Sequence, residues 1–408
     1  MTKYDFGKDF DRSGSGDLKH EALLPRWGRS DLLPLWVADM DWETPSFITD
    51  ALRKRLDHSL FGYTVEPEDF WPSVIDWVHD HHGWSIDREW LTFVPGIVRG
   101  IGIAINVFCD KNDAVVIQPP VYHPFRLTTE GNGRQLLKNP LREKPDGGYE
   151  MDFDNLKKTV DDFNSQAEGK VRLLIMSNPH NPAGICWDKP TLTRLAHFCK
   201  EHDIIVISDE IHCDLALWNN RHIPFATVSE EAAERSITFM APTKTFNIAG
   251  LMSSFSIIPN GEIRRRFNSW LEVNELNEPT LFAPIATIAA FRNGEEWRRQ
   301  MLRYVEGNID FVVDFFAKNI PQIRPIIPQA SFLVWLDCRQ LGLTHDQLLN
   351  LFEDKAHLAL NDGEMFFGSD EENEAATGGK GHGFMRLNVG TQRSVLKRAL
   401  NQLKAALG

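Results

Sequence analysis

At 408 residues, with 42% hydrophobic and 25% charged side chains, the chain can bury a sizeable core but is too long for one simple core, so two domains are expected. A net charge of -13 with no compensating basic run excludes nucleic acid as a natural partner, and no signal-like or bilayer-length apolar segment is seen, so no membrane role is expected. Five cysteines, odd in number, scattered and without a CxxC pair, fit free thiols in a reducing cytoplasm.

The first forty or so residues read as part of a smaller domain completed by the C-terminal third. Next, VHDHHGW (78 to 84) ends an amphipathic helix, where solvated histidines beside the negative helix end are expected. LTFV (91 to 94) reads as a buried strand and leads through a Pro-Gly turn into a helix, so that the amides of Gly96, Ile97 and Val98 can face a phosphate. AVVIQ (114 to 118) is a second strand, with Tyr122 just past its end, suited either to stacking on a ring or to core packing.

RLLIMS (172 to 177) runs into SNPHNPAGICW, whose two Asn-Pro steps force turns and put Asn178 and Asn181 at the sheet edge. A crossover helix follows in KPTLTRLAHFCKEHD, then the strands IIVIS (204 to 208), SITFM (236 to 240) and SSFSII (253 to 258). This is the pattern of a mainly parallel sheet covered by helices on both faces. A long helical stretch to about 318 and two further strands, SFLVWLD and FMRLNVG, form the smaller α+β part. GSDEENEAATGGKGHGF (368 to 384) reads as an acidic, glycine-rich loop. Expected boundaries are 1–48 for an N-terminal arm and part of the small domain, 49–288 for the large domain, and 289–408 for the small C-terminal domain.

IIVIS continues into DEIHCD (209 to 214), which by letters is the DExH box of a nucleic-acid motor. No G-x-x-x-x-G-K-[ST] accompanies it, and the cradle for nucleotide phosphates is missing. A metal site is not expected either, because Asp209 and Glu210 on a continuing strand point to opposite faces. A partner for Asp209 stands in FMAPTKTFNIAGLM (239 to 252), where Lys244 lies just past a strand. Ligands of α/β sheets bind at that edge, and it is where a Schiff-base amine belongs, although a surface charge is the plainer fate of a lysine. Pyridoxal phosphate needs such a lysine, a carboxylate for the pyridine nitrogen, a helix N-terminus for the phosphate and an aromatic face for the ring. All four are available in these segments.

With NPHNPAG, SDEIH and PTKTFNIAG around Asn181, Asp209 and Lys244, the chain resembles the fold type I pyridoxal-phosphate enzymes of the aspartate aminotransferase superfamily. More narrowly it resembles the MalY/PatB group of cystathionine β-lyases, also called cysteine-S-conjugate β-lyases, through LPLWVADMDWETP (33 to 45), FGYTVEPEDFWPSVIDWV (61 to 78), PGIVRGI, PPVYHPF, SNPHNPAGICW, SDEIHCDL, TKTFNIAGL and FMRLNVGT (384 to 391). These blocks run nearly end to end, and their joint occurrence in order is specific.

The resemblance implies an α/β fold with a mainly parallel seven-stranded sheet between helices and a homodimer with active sites at the subunit interface. It implies pyridoxal phosphate held as a Schiff base on Lys244, which also moves the Cα proton. Asp209 pairs with the pyridine nitrogen, Asn181 with the phenolic oxygen, and Tyr122 stacks on the ring. Gly96, Ile97, Val98 and Thr243 bind phosphate, with Tyr63 of a second subunit; Asn178 and His212 complete the cofactor set. Arg386 clamps the substrate carboxylate, with Ala38, Asn181 and Tyr63 also near substrate. Many aminotransferases carry tyrosine where this chain has His212, and an arginine soon after the lysine where this chain has none. Both departures are usual in the lyase group. They leave His212 between tuning the cofactor oxygen or Asp209 and fixing the strand end. The implied activity is α,β-elimination from cystathionine and related thioethers to thiol, pyruvate and ammonia; transamination and a regulatory, partner-binding role are the alternatives.

Overall fold

Runs of Val, Ile, Leu and Phe without alternation form strands only where helices cover both sheet faces. Here they pair into one seven-stranded sheet: β1 Leu91–Val94, β2 Ala114–Ile117, β3 Gln135–Lys138, β4 Val171–Ser177, β5 Ile205–Asp209, β6 Ser236–Met240 and β7 Ser254–Ile257, in the order β1-β7-β6-β5-β4-β2-β3. This structure, a computed structural model, describes residues 3–368 and 382–408, so most of the expected acidic loop at 368 to 384 lies outside the described residues.

All neighbouring strands are parallel except β7, which is antiparallel to both β1 and β6. Every residue of β2 and β6 is buried, as a sheet covered on both sides requires. The register pairs Ser177 with Asp209 and Asp209 with Phe239. The C-terminal ends of β4, β5 and β6 therefore lie side by side, and the segments bearing Asn181, Asp209 and Lys244 leave the sheet at one edge.

Among the helices used below, α1 is Phe70–His82, α2 Ile97–Phe108, α3 Lys189–Glu201, α4 Phe282–Asn293 and α5 Glu295–Asn319. The crossover α3 starts where Asp188 accepts from the Thr191 amide, an N-cap of the usual kind. The long helical stretch is two helices, α4 and α5, broken at Gly294, where a Cβ would collide with the Ala290 carbonyl and the Phe246 ring.

A second, antiparallel sheet has the order β8-β9-β11-β10, from Arg324–Ile326, Leu333–Asp337, Asn361–Asp362 and Phe384–Asn388. Residues Leu33–Pro34 pair with Leu358–Ala359, which ties the N-terminal segment to this part of the chain. No helix among the described residues is long and apolar enough to cross a membrane.

The solvated-histidine expectation for α1 is corrected. Only His79 is exposed; His81 stacks on Trp77 at 3.6 Å and reaches Glu295, and the His82 ring is buried against Asp214. With 3.6 residues per turn, His81 lies on the face of Trp77 that packs inward, and helix-end position alone does not decide solvation.

Candidate active site

The shared sheet edge opens on a cavity of about 580 Å³, lined by Ala38, Ile97, Tyr122, Asn181, Asp209, His212, Thr243 and Lys244 among others. That volume suits a compact cofactor with an amino-acid substrate.

Lys244 follows β6 within a tight turn in which Phe246 and Ile248 donate back to Pro242 and Thr243 carbonyls. Its Nζ donates to the Ala38 carbonyl at 2.6 Å. Burial, opposed in part by Asp39 and Asp209, brings the ammonium down to about 8, so a useful fraction is neutral amine near physiological pH. Asn247, at φ 56, bonds Met40 N and the Met40 and Trp42 carbonyls, which straps the N-terminal segment carrying Ala38 over this turn.

Asp209 ends β5 and accepts from the Ile211 amide at 3.1 Å. Burial pushes its carboxyl up to about 7, against the weaker pull of that bond and of Lys244. Glu210 points the other way, as the alternation of a strand dictates. It accepts from Ser208 Oγ, the Phe225 amide and Asn178 Nδ2, and pairs with His222 at 2.7 Å.

That second network is where Asn178 goes. Its amide donates to the Ile223 carbonyl at 2.9 Å and it does not line the cavity, so the expectation that it joins the cofactor set is not met. Further behind the site, Asp214 is gripped by Trp77, His82 and Thr245, the neighbour of Lys244.

His212 lines the cavity, and burial holds it at about 3, hence neutral. Its Nδ1 is buried without a protein partner among the described residues. Tyr122 also lines the cavity, its phenol pushed up by burial.

The phosphate end is modified in one detail. Gly96 has φ 107, a conformation open to glycine and costly to other residues, and its N–H is already given to Val94 O and Ser254 Oγ. Ile97 and Val98 then supply the first uncommitted amides of α2, next to Thr243 on the cavity wall.

Arg386 lies on β11, fully buried, with Nη1 donating to Asn181 Oδ1 and Nη2 to the Trp36 carbonyl, both at 3.0 Å. With the Asn361 amide turned to satisfy its neighbours, its oxygen also accepts from Nη2. The Phe366 ring faces the guanidinium at 4.9 Å. No carboxylate meets this cation among the described residues, and its Nε is unpartnered. Burial lowers it only to about 10, so it stays charged. A buried cation held by neutral acceptors is ready for an anion.

Tyr63 is not brought to this cavity by its own chain. It is fully exposed on a separate hollow of about 920 Å³ with Arg55, Trp71 and Arg88. Sequence reasoning missed Asn247, Asn361, Phe366 and the part played by the Trp36 carbonyl, which hold the Lys244 turn and Arg386 in place; an asparagine at positive φ and a backbone acceptor leave no signature in residue type.

The residues fit pyridoxal phosphate. A tuned amine, a buried carboxylate, free helix amides, a ring-sized aromatic and an orphaned imidazole nitrogen surround one cavity.

The carboxylate has a measurable consequence. Between the ordinary value of 3.8 and about 7 the folded, cofactor-free chain keeps a proton on Asp209 that the unfolded chain has lost. Its stability contribution is therefore present at low pH and lost as pH rises through about 7. Urea midpoints of cofactor-free protein are expected to fall from about pH 5 to about pH 8, and this slope should shrink in Asp209→Asn. Equal slopes in the two proteins would contradict the burial account.

The family model for aminotransferase class I and II matches residues 32–403. Cystathionine beta-lyase PatB of Bacillus subtilis (strain 168) is 40% identical over 402 residues, covering 98% of this chain and 99% of that protein. Cystalysin from Treponema denticola, whose crystal structure contains pyridoxal 5'-phosphate, superposes with a TM-score of 0.91 at 30% identity, covering 100% of this chain and 99% of the other. The PLP-bound C-S lyase from Staphylococcus hominis has a TM-score of 0.87 at 31% identity, covering 100% and 98%.

Proposed function

Since the chain belongs to the class I and II aminotransferase family and, within it, to the MalY/PatB group of cystathionine β-lyases, we propose that it is a pyridoxal-phosphate-dependent carbon-sulfur β-lyase acting on cystathionine and related S-substituted L-cysteines. The observation that carries this is the meeting of Lys244 and the buried Asp209 in one cavity, with the buried Arg386 held behind its wall through Asn181, which lines it.

Bound pyridoxal phosphate supplies an electron sink that lets the Cα–H bond of an amino acid ionise. Lys244 holds the cofactor and then, as a neutral amine, takes the Cα proton at Nζ. Asp209 holds the proton at the pyridine nitrogen, and the low polarity that pushes its carboxyl up also shelters the resulting ion pair. Ile97, Val98 and Thr243 bind the phosphate, Tyr122 covers the ring, and Asn181 serves both the phenolic oxygen and Arg386. His212 is neutral and acts as a hydrogen-bonding wall. The overall change takes a thioether and water to thiol, pyruvate and ammonia.

Arg386 grips the substrate carboxylate through its planar fork. Arg386→Lys keeps the charge and loses the fork. We expect kcat/KM to fall at least about 100-fold, mostly through KM, while cofactor absorbance persists. An unchanged KM would remove Arg386 from substrate binding.

Tyr63, fully exposed on its own chain, supports a homodimer in which it reaches the neighbouring active site. The free cysteines, four of them buried, fit a cytoplasmic setting. Substrate analogues test the elimination. An S-alkyl cysteine should release thiol and pyruvate, and the isostere with methylene in place of sulfur should release neither. Equal consumption of both would point to transamination.

A further inference from the structure

Away from the cavity, two histidines from distant parts of the chain converge on one carboxylate. His345 opens the helix His345–Asn350, Glu364 sits in the turn Glu364–Phe366 after β10, and His382 stands just before β11. His345 Nδ1 lies 3.0 Å from Glu364 Oε1, and His382 Nδ1 meets the same oxygen. One ligand atom from each residue lies within 4.8 Å of the other two. Metal bonds of about 2.0 to 2.2 Å put donor atoms no more than about 4.4 Å apart, a spacing that small side-chain rotations reach from here.

The other face of His345 is informative. Its Nε2 lies 3.4 Å from Asp362 Oδ2, so both ring nitrogens face carboxylate oxygens. A neutral imidazole has one N–H and satisfies only one of them. Either a second ring proton or a cation on Nδ1 resolves this, and with the cation Nε2–H donates to Asp362, the carboxylate-histidine-metal arrangement that orients metal-bound imidazoles. Two imidazoles with one carboxylate suit zinc and its neighbours, and suit magnesium or calcium poorly.

We propose that His345, Glu364 and His382 form a zinc-type divalent metal site, with Asp362 orienting His345. The site lies beside the active-site support. Asn361 pairs in register with Arg386, and Phe366, which faces its guanidinium, belongs to the same turn as Glu364. A bound ion thus clamps the helix His345–Asn350 to the segment that holds Arg386. Metal binding itself does not depend on the role assigned to Arg386.

Chelator-treated holoenzyme titrated with zinc chloride by calorimetry tests this, with magnesium chloride as control. The expected result is one zinc per chain, a higher melting temperature and no magnesium binding. His345→Ala and His382→Ala should each weaken zinc by more than about 100-fold, and Asp362→Asn by about 10-fold, with cofactor absorbance and lyase turnover retained. Cobalt(II) substitution in unmutated protein gives a readout that needs no variant: intense visible bands of a tetrahedral site are expected. Absence of stoichiometric zinc binding, or zinc binding unchanged in both His345→Ala and His382→Ala, overturns the proposal. The second outcome would place the ion elsewhere, with His82, Cys213 and Asp214, whose ligand atoms also lie within 4.8 Å of one another, as the first candidate.

Discussion

Lys244→Ala is expected to lower pyruvate release from an S-substituted cysteine by about 10⁴-fold, at the upper end of what removal of a general base costs. The size follows from what remains in the cavity. His212, held at about 3, is too weak a base at neutral pH, and Tyr122, whose phenol is pushed up, stays protonated. Asp209 is the proposed partner of the pyridine nitrogen. No other group lining the cavity can take over proton transfer with a matched pKa. The variant should also lose the absorbance of the lysine-bound cofactor while folding normally. Substantial turnover in Lys244→Ala, with that absorbance intact, would remove the lysine from its assigned part.

Asp209→Asn should cost on the order of 10²- to 10³-fold in kcat, the usual range for losing one preorganised electrostatic partner. Asparagine fills the same space and can keep the contact with the Ile211 amide, but it cannot hold a positive pyridine nitrogen. The effect on stability should run the other way. Since burial makes the Asp209 charge unfavourable in cofactor-free protein, the amide variant should melt higher than the parent above about pH 7. A residue that weakens the fold and speeds the reaction is a common trade at active sites. Loss of stability together with loss of turnover would instead mark Asp209 as a structural residue.

Asp209 and Lys244, the residues to which the chemistry is assigned, were legible because each follows closely on a strand whose apolar run is unmistakable. Asp209 follows IIVIS and Lys244 follows SITFM, and parallel pairing brings those ends together. The alternation of a strand also separated Asp209 from Glu210 correctly. What escaped reading depends on long-range packing. Strand β3, Gln135–Lys138, is a short edge strand whose partly exposed residues carry no buried-run signal. Asn178 and Asn181 sit in like Asn-Pro settings, yet one turns to Ile223 and the other to Arg386. His81 and His82 looked like a solvated helix end until Glu295 and Asp214, distant in the chain, were seen to meet them.

The central claim, β-elimination by this cavity, is tested most directly by supplying holoenzyme with cystathionine and no keto acid, and measuring thiol and pyruvate together. One pyruvate per thiol over many turnovers is the predicted result. Turnover that begins only when a keto-acid acceptor is added would make the protein an aminotransferase and contradict it.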